Sequence, residues 1–180
     1  MISAVKNLKE LLAVRYPLFN GLSSGELGDG RIEYLDPVER LLFLPWRHWK
    51  RNCICKIDAE TVRLQIIYSG ARKAGPLLRS NKGGHFSREG IYYLVNRVAR
   101  RTAIPGAERI SPRTLKRTFC REWLRTPGNT LAGLQKQLSH KHLWSTAHYL
   151  PYVLEDVEIE QDRLMERIRL GQTERPRLVS

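Results

Sequence analysis

The stretch Ser111–Tyr149, SPRTLKRTFCREWLRTPGNTLAGLQKQLSHKHLWSTAHY, constrains this chain more than any other. Ser111 followed by Pro112 marks a helix start: the serine hydroxyl can accept from a free N–H, and proline at the first helical position forfeits no hydrogen bond. From there to Leu124, Leu115, Phe119, Trp123 and Leu124 recur at helical spacing and define an apolar side. Thr126-Pro127-Gly128-Asn129 reads as a turn, Thr130 to Leu138 as a short helix, and His142 to Pro151 as a loop-to-helix passage. The segment closes with Leu138-Ser139-His140 and a tyrosine, Tyr149, nine residues beyond that histidine.

Charge narrows the partner. The 180 residues hold 31 Lys+Arg against 18 Asp+Glu, a net charge of +13, which favours a polyanion. Between Arg97 and Arg125 there are nine basic residues and two acids. No stretch approaches the roughly 20 apolar residues that span a bilayer, and no N-terminal signal pattern stands out. A cytoplasmic, nucleoid-associated protein with no membrane partner is the expectation. The cysteines are Cys53, Cys55 and Cys120, and the histidines at 48, 85, 140, 142 and 148 complete no zinc spacing with them. Reduced structural thiols, no metal and no cofactor are expected, with Cys53 and Cys55 on one face of a strand.

Upstream, residues 3–20 carry Val5, Leu8, Leu11, Leu12 and Leu18 at helical spacing, with Ser3 as N-cap. Gly21 to Gly30, four glycines in ten residues, reads as a turn or loop. Arg31 to Leu35, Glu39 to Leu44 and Cys53 to Ile57 read as three short antiparallel strands, with a basic, aromatic loop, Pro45 to Asn52, before the third. Asp58 is the expected N-cap of a helix bearing Val62, Leu64, Ile66 and Ile67. Ser87 caps a longer helix to about Arg101, with Ile91, Leu94, Val95 and Val98 on one face and Arg97, Arg100 and Arg101 on the other. Residues 1–152 therefore form one mixed α+β, mainly helical domain with a small three-stranded sheet. Residues 153–180 form an acidic C-terminal helix and a flexible tail.

In this order of elements the chain resembles the catalytic domain of tyrosine recombinases, the phage-integrase, Xer and Fim-type family. The resemblance covers roughly residues 5–155. It rests on Ile57-Asp58-Ala59-Glu60-Thr61, Gly75-Pro76-Leu77-Leu78-Arg79-Ser80, Phe86-Ser87-Arg88-Glu89-Gly90-Ile91, SPRTLKRTF, Leu138-Ser139-His140 and Tyr149. In that family a His-x-Leu-Arg box is followed by Leu-Gly-His and then by a nucleophilic tyrosine nine residues past that histidine. Here the box reads Arg113-Thr114-Leu115-Lys116. The family's first arginine falls in Gly-Leu-Arg-x-x-Glu, and the matching run Gly21-Leu22-Ser23-Ser24-Gly25-Glu26 puts Ser23 in its place.

The resemblance implies a reaction in which tyrosine attacks a phosphodiester, forming a 3′-phosphotyrosyl link and freeing a 5′-hydroxyl. Guanidiniums suit the charge that builds on the non-bridging oxygens, because each offers two parallel donors, and a lysine can protonate the leaving oxygen. Mapped onto this chain, Tyr149 is the nucleophile, His140, Lys116 and Arg113 the phosphate holders, and Lys50 the acid, with His48 the nearer match by strict count. Arg15, Arg31 and Arg47 are the arginines available to replace the one missing at Ser23. Losing one transition-state donor typically costs about 10²–10³ in rate. Two readings stand: a double-stranded-DNA-binding protein with weakened or lost strand exchange and an accessory or regulatory role, or an active site-specific recombinase. Arg47, Lys50, Arg51, Arg97, Arg100, Arg101, Arg117, Arg121 and Lys141 are the expected DNA contacts. Self-association through the C-terminal helix, or a partner protein, is expected to supply what one small domain lacks.

Overall fold

The computed structural model of the chain describes residues 2–44, 53–153, 161, 162 and 165–167. Helix α1 (Leu8–Asn20) is the rod on which four later helices, α2 to α5, pack. Leu12, Ala13, Val14 and Tyr16 on it are fully buried; each large apolar side chain so removed from water contributes about 1.5–3 kcal/mol. Its cap is Asn7 rather than Ser3. The Asn7 side chain accepts from the Glu10 N–H at 3.0 Å while the Glu10 carboxylate reaches back to the Lys6 N–H at 2.9 Å. Ser3 lies in a separate 3-10 turn, Ile2–Ala4. Three residues beyond it stands Lys6, a donor that cannot accept a main-chain N–H as Glu10 does.

The glycine-rich run 21–30 is not a loop. It contains helix α2 (Ser24–Asp29), started by a capping box in which Ser23 and Glu26 bond each other's main chain. Its glycines serve close packing: a Cβ on Gly28 would sit 2.8 Å from the Phe86 carbonyl oxygen. Gly21, at φ +73, ends α1 in the left-handed region. The strand expected over 31–35 is mostly a 3-10 turn, Ile32–Tyr34. Leu35–Asp36 (β1) pairs with β2 (Leu41–Leu44), which pairs in turn with β3 (Cys53–Lys56), while Arg31 makes an isolated bridge with Pro76. The order is β1-β2-β3, all antiparallel. Cys53 and Cys55 share the buried face, as their spacing predicts.

Asp58 caps α3 (Ala59–Ser69). Val62 and Leu64 face the core, but Ile66 and Ile67 are about half exposed. The inward position belongs to Gln65, whose amide meets the Tyr16 hydroxyl at 3.0 Å, Ser69 at 3.0 Å and the Leu77 carbonyl at 3.1 Å. A buried polar group fully bonded in this way fixes how α1 and α3 register. Helix α4 (Arg88–Ala99) starts at Ser87 as expected and buries Ile91, Leu94, Val95 and Val98. Helix α5 (Pro112–Arg125) opens on a Ser111–Thr114 capping box with Pro112 at its first turn. The short helices α6 (Leu131–Gln137) and α7 (Leu143–Ala147) follow. Most apolar side chains join one core. Cys120, Leu134 and Leu138 form a second, small cluster, against which Phe119, Trp123, Leu124 and Tyr149 pack.

Candidate active site

Helix α5 places Arg113, Lys116 and Cys120 on one line, three and four residues apart. Lys116 Nζ meets Glu26 Oε2 at 3.4 Å, and both side chains are largely withdrawn from water, at 12% and 15% exposed. Glu26 also accepts from the Ser23 N–H at 2.6 Å, and its own N–H donates to Ser23 Oγ at 3.3 Å. Burial opposes ionisation of Glu26, but Lys116 and the two Ser23 bonds more than offset it and hold its carboxyl below the usual range. Ser23, standing where the resemblance puts an arginine, is thus spent on starting α2. Lys116, standing where it puts another, is spent on a carboxylate.

His140 follows α6. Ser139 adopts φ +51 and anchors its hydroxyl on the main chain of Ile54, accepting from the N–H at 3.1 Å and lying 3.0 Å from the carbonyl. The turn is closed by the His140 N–H on the Gln135 carbonyl at 3.0 Å and by the Gln135 amide on the His140 carbonyl at 3.1 Å. His140 Nδ1 sits 3.0 Å from Thr146 Oγ1, a fully buried hydroxyl on α7. Burial and then the Lys116 charge keep the imidazole below its ordinary pKa, with Glu26 pulling the other way. Lys116, Glu26 and His140 therefore share one electrostatic neighbourhood.

Tyr149 lies just past α7, half-buried against the small cluster. Burial, and then the neighbouring Cys120 thiol, push its pKa well above the ordinary phenol value; Glu26 adds to the rise and Arg113 works against it. Cys120 is itself fully buried and pushed up to about 12. The fold thus brings Tyr149, His140, Lys116 and Arg113 together from three separate parts of the chain. Arg113 is exposed, and its charge favours the Tyr149 phenolate. Among the described residues no group of three or more His, Cys, Asp or Glu is arranged to hold a metal ion.

Two of the arginines expected to compensate for Ser23 are engaged elsewhere. Arg15 donates to Asp58 at 2.7 Å and to Thr61 at 2.9 Å, and lies over the Phe19 ring. Arg31 pairs with Glu33. Arg47, Lys50 and Arg51, with the rest of the 45–52 loop, lie outside the described residues, as does most of the acidic segment 153–180. Of the expected DNA contacts, Arg117 stacks its guanidinium 4.5 Å from the Tyr152 ring centroid, Arg121 pairs with Glu122 at 2.9 Å, and Lys141 is exposed beside His140. Arg117 thus touches Tyr152, three residues past Tyr149, and Arg121 follows Cys120, on whose cluster Tyr149 packs. Arg97, Arg100 and Arg101 lie elsewhere: they gather at the far end of α4, where Arg101 meets Glu10 at 2.6 Å and Arg97 meets it at 3.4 Å. Glu26, Cys120 and Thr146 carry no role in the sequence reading. Only Glu26 has a local signal, the Ser23-x-x-Glu26 capping pattern.

The architecture is the tyrosine-recombinase catalytic-domain fold. XerA recombinase superposes with a TM-score of 0.73 at 20% identity, over 86% of this chain and 58% of that one. XerH site-specific recombinase, bound to a palindromic difH substrate in a post-cleavage complex, gives 0.65 at 16% identity over 89% and 48%. The Tn1549 transposon integrase in complex with circular-intermediate DNA gives 0.62 at 17% identity over 78% and 54%. The chain thus spans about half the length of the structures it matches. No family model and no curated protein matches the sequence.

Proposed function

We propose that this chain is a duplex-DNA-binding protein built on the tyrosine-recombinase fold, with strand exchange weakened or lost and an accessory or regulatory role. The observation that carries this is the Glu26–Lys116 pair. A phosphate approaching Tyr149 would meet a lysine whose charge a neighbouring carboxylate already neutralises. It would meet a serine tied into a helix cap in place of a guanidinium fork. Transition-state stabilisation depends on charges held ready and unspent. DNA affinity has no such requirement, since phosphate contacts position the protein through whichever cations face outward. Arg113, Arg117, Arg121 and Lys141 supply these around the tyrosine. The neighbours crystallised on DNA support this partner, and the acidic segment after Val153 is the natural place for self-association or a partner protein.

The second reading, an active recombinase with a divergent cation set, is favoured by one fact: Tyr149, His140, Lys116 and Arg113 still converge. A nicked duplex that traps the covalent intermediate separates the two. Weakened or lost exchange predicts little or no protein–DNA adduct from the unmodified chain. An abundant adduct, abolished in Tyr149→Phe, would establish the enzyme instead.

A further inference from the structure

Arg97, Arg100 and Arg101 belong to a groove of about 900 Å³ that Lys9, Phe86, Tyr92 and Tyr93 also line. It lies at the opposite end of α1 from the tyrosine site. Lys9 and Glu10 are in the first turn of α1, whereas Gly21 at its end is where Phe119 and Leu138, beneath Tyr149, pack so closely that a Cβ would sit 2.7–2.8 Å from them. The rise of an α-helix separates these ends by about 18 Å.

The groove combines two properties. The first is outward positive charge on a fixed support. Glu10, 3% exposed, is bonded mainly by Arg101, and Arg97, 3.4 Å from it, stays 62% exposed. Arg100 Nε donates to Asn96 Oδ1 at 2.8 Å, and the Asn96 amide is anchored on the Glu108 and Ile110 carbonyls. This holds the Arg100 side chain, which stays exposed, before any ligand arrives. The second is aromatic surface left in water. On a helix that buries Ile91, Leu94, Val95 and Val98, Tyr92 is 42% and Tyr93 69% exposed. Their rings stand edge to face with centroids 5.6 Å apart.

Cations that track a phosphate backbone, beside open ring faces, are what an unpaired nucleic-acid strand requires. A duplex keeps its bases stacked on each other and offers those rings nothing to stack on. We infer that the α1–α4 groove binds a single-stranded stretch of nucleic acid, with bases on Tyr92 and Tyr93 and phosphates on Lys9, Arg97 and Arg100. This site is separate from the duplex face proposed around Tyr149 and does not depend on that reading.

The test is fluorescence anisotropy of the full chain with labelled twelve-residue oligo-dT, oligo-U and a twenty-base-pair duplex. Oligonucleotide binding is expected, and the oligo-dT and oligo-U arms tell DNA from RNA as the source. The double change Tyr92→Ala/Tyr93→Ala should weaken it tenfold or more, while Tyr92→Phe/Tyr93→Phe keeps the rings and the affinity. Duplex binding should change less than twofold in both. Lys9→Ala with Arg100→Ala should flatten the salt dependence by about 1.4 in logarithmic slope. Photo-crosslinking of the unmodified chain to 4-thiothymidine oligonucleotides should label the segment 88–101, which keeps the test valid if a variant fails to fold. The inference is overturned if the unmodified chain does not bind the oligonucleotides, if the alanine pair binds as well as the parent, or if crosslinks fall elsewhere. It is also overturned if duplex affinity falls in parallel, which would make the groove part of the duplex face. A glutamate-rich peptide that binds with the same tyrosine dependence, and more tightly, would make the partner a protein. Loss of duplex binding alone would count against the proposed function and leave this site standing.

Discussion

The side chain of Gln137 takes both main-chain groups of Lys56: its oxygen accepts from the N–H at 3.2 Å and its amide nitrogen donates to the carbonyl at 2.8 Å. With Ser139 doing the same for Ile54, two residues at the end of α6 stand in for a fourth strand along the edge of β3. The device covers groups that an edge strand otherwise leaves open to another chain. It also ties the turn before His140 to the hairpin.

Gln137→Ala is therefore expected to lower stability by about 1–2 kcal/mol, through two or three net hydrogen bonds at a partly exposed site. Gln137→Glu should cost more. A carboxylate cannot donate to the Lys56 carbonyl or to the Asn20 carbonyl that the same amide reaches at 3.1 Å. Urea unfolding reads this as a fall in midpoint with an unchanged slope.

The Glu26–Lys116 pair makes the chain acid-sensitive. Because the folded state holds the Glu26 pKa below its unfolded value of about 4.3, its contribution is complete above that value and is lost as pH falls through the lower folded one. Removing one partner strands a buried charge: Lys116→Met should destabilise by about 3–5 kcal/mol, and Lys116→Met with Glu26→Leu by much less. Urea midpoints measured from pH 3 to 7 should show a shallower acid limb in Glu26→Gln than in the parent.

His140 gives a second pH signature with its own probe. Burial and Lys116 favour the neutral imidazole, so the unfolded chain binds the proton more readily. Stability from this group is full above about pH 6.5 and declines as pH falls toward the folded pKa. In a protein that remains folded, Lys116→Met should raise the His140 pKa, because the positive neighbour is gone while the Glu26 charge remains. Imidazole resonances followed by NMR titration read the shift directly.

Duplex affinity should fall steeply with salt. Arg117→Ala with Arg121→Ala should reduce the logarithmic slope by about 2, close to 0.9 for each phosphate no longer neutralised. Anisotropy between 50 and 200 mM salt measures it. An unchanged slope would move the duplex face away from α5.

The helix caps at Asp58, Ser87 and Ser111, the three-stranded sheet and the histidine-to-tyrosine spacing are legible in the sequence because each is a local pattern. What is not legible depends on partners far along the chain. Glycines at 25 and 28 read as a loop because their use, letting α4 approach, is invisible without α4. Ile66 and Ile67 read as core because periodicity cannot say that Gln65 will find three bonding partners inside. Arg101 reads as a DNA contact because nothing local reveals Glu10, ninety-one residues away in sequence. Of the site, the residue types and their order are readable, but the neutralisation of Lys116 by Glu26 is not.

Tyr149 is seated on the small cluster of Cys120, Leu134 and Leu138 and not on the main core. A satellite held by so few apolar side chains can open at a fraction of the free energy needed to unfold the whole. Helix α7 and Tyr149 can then release from it while α5 stays packed on α1 and the end of α6 stays tied to β3. Amide exchange should report that release in α7 well before the rest of the protein yields. Any partner that grips the segment beyond Val153 would act on that release and set how often the phenol leaves its seat.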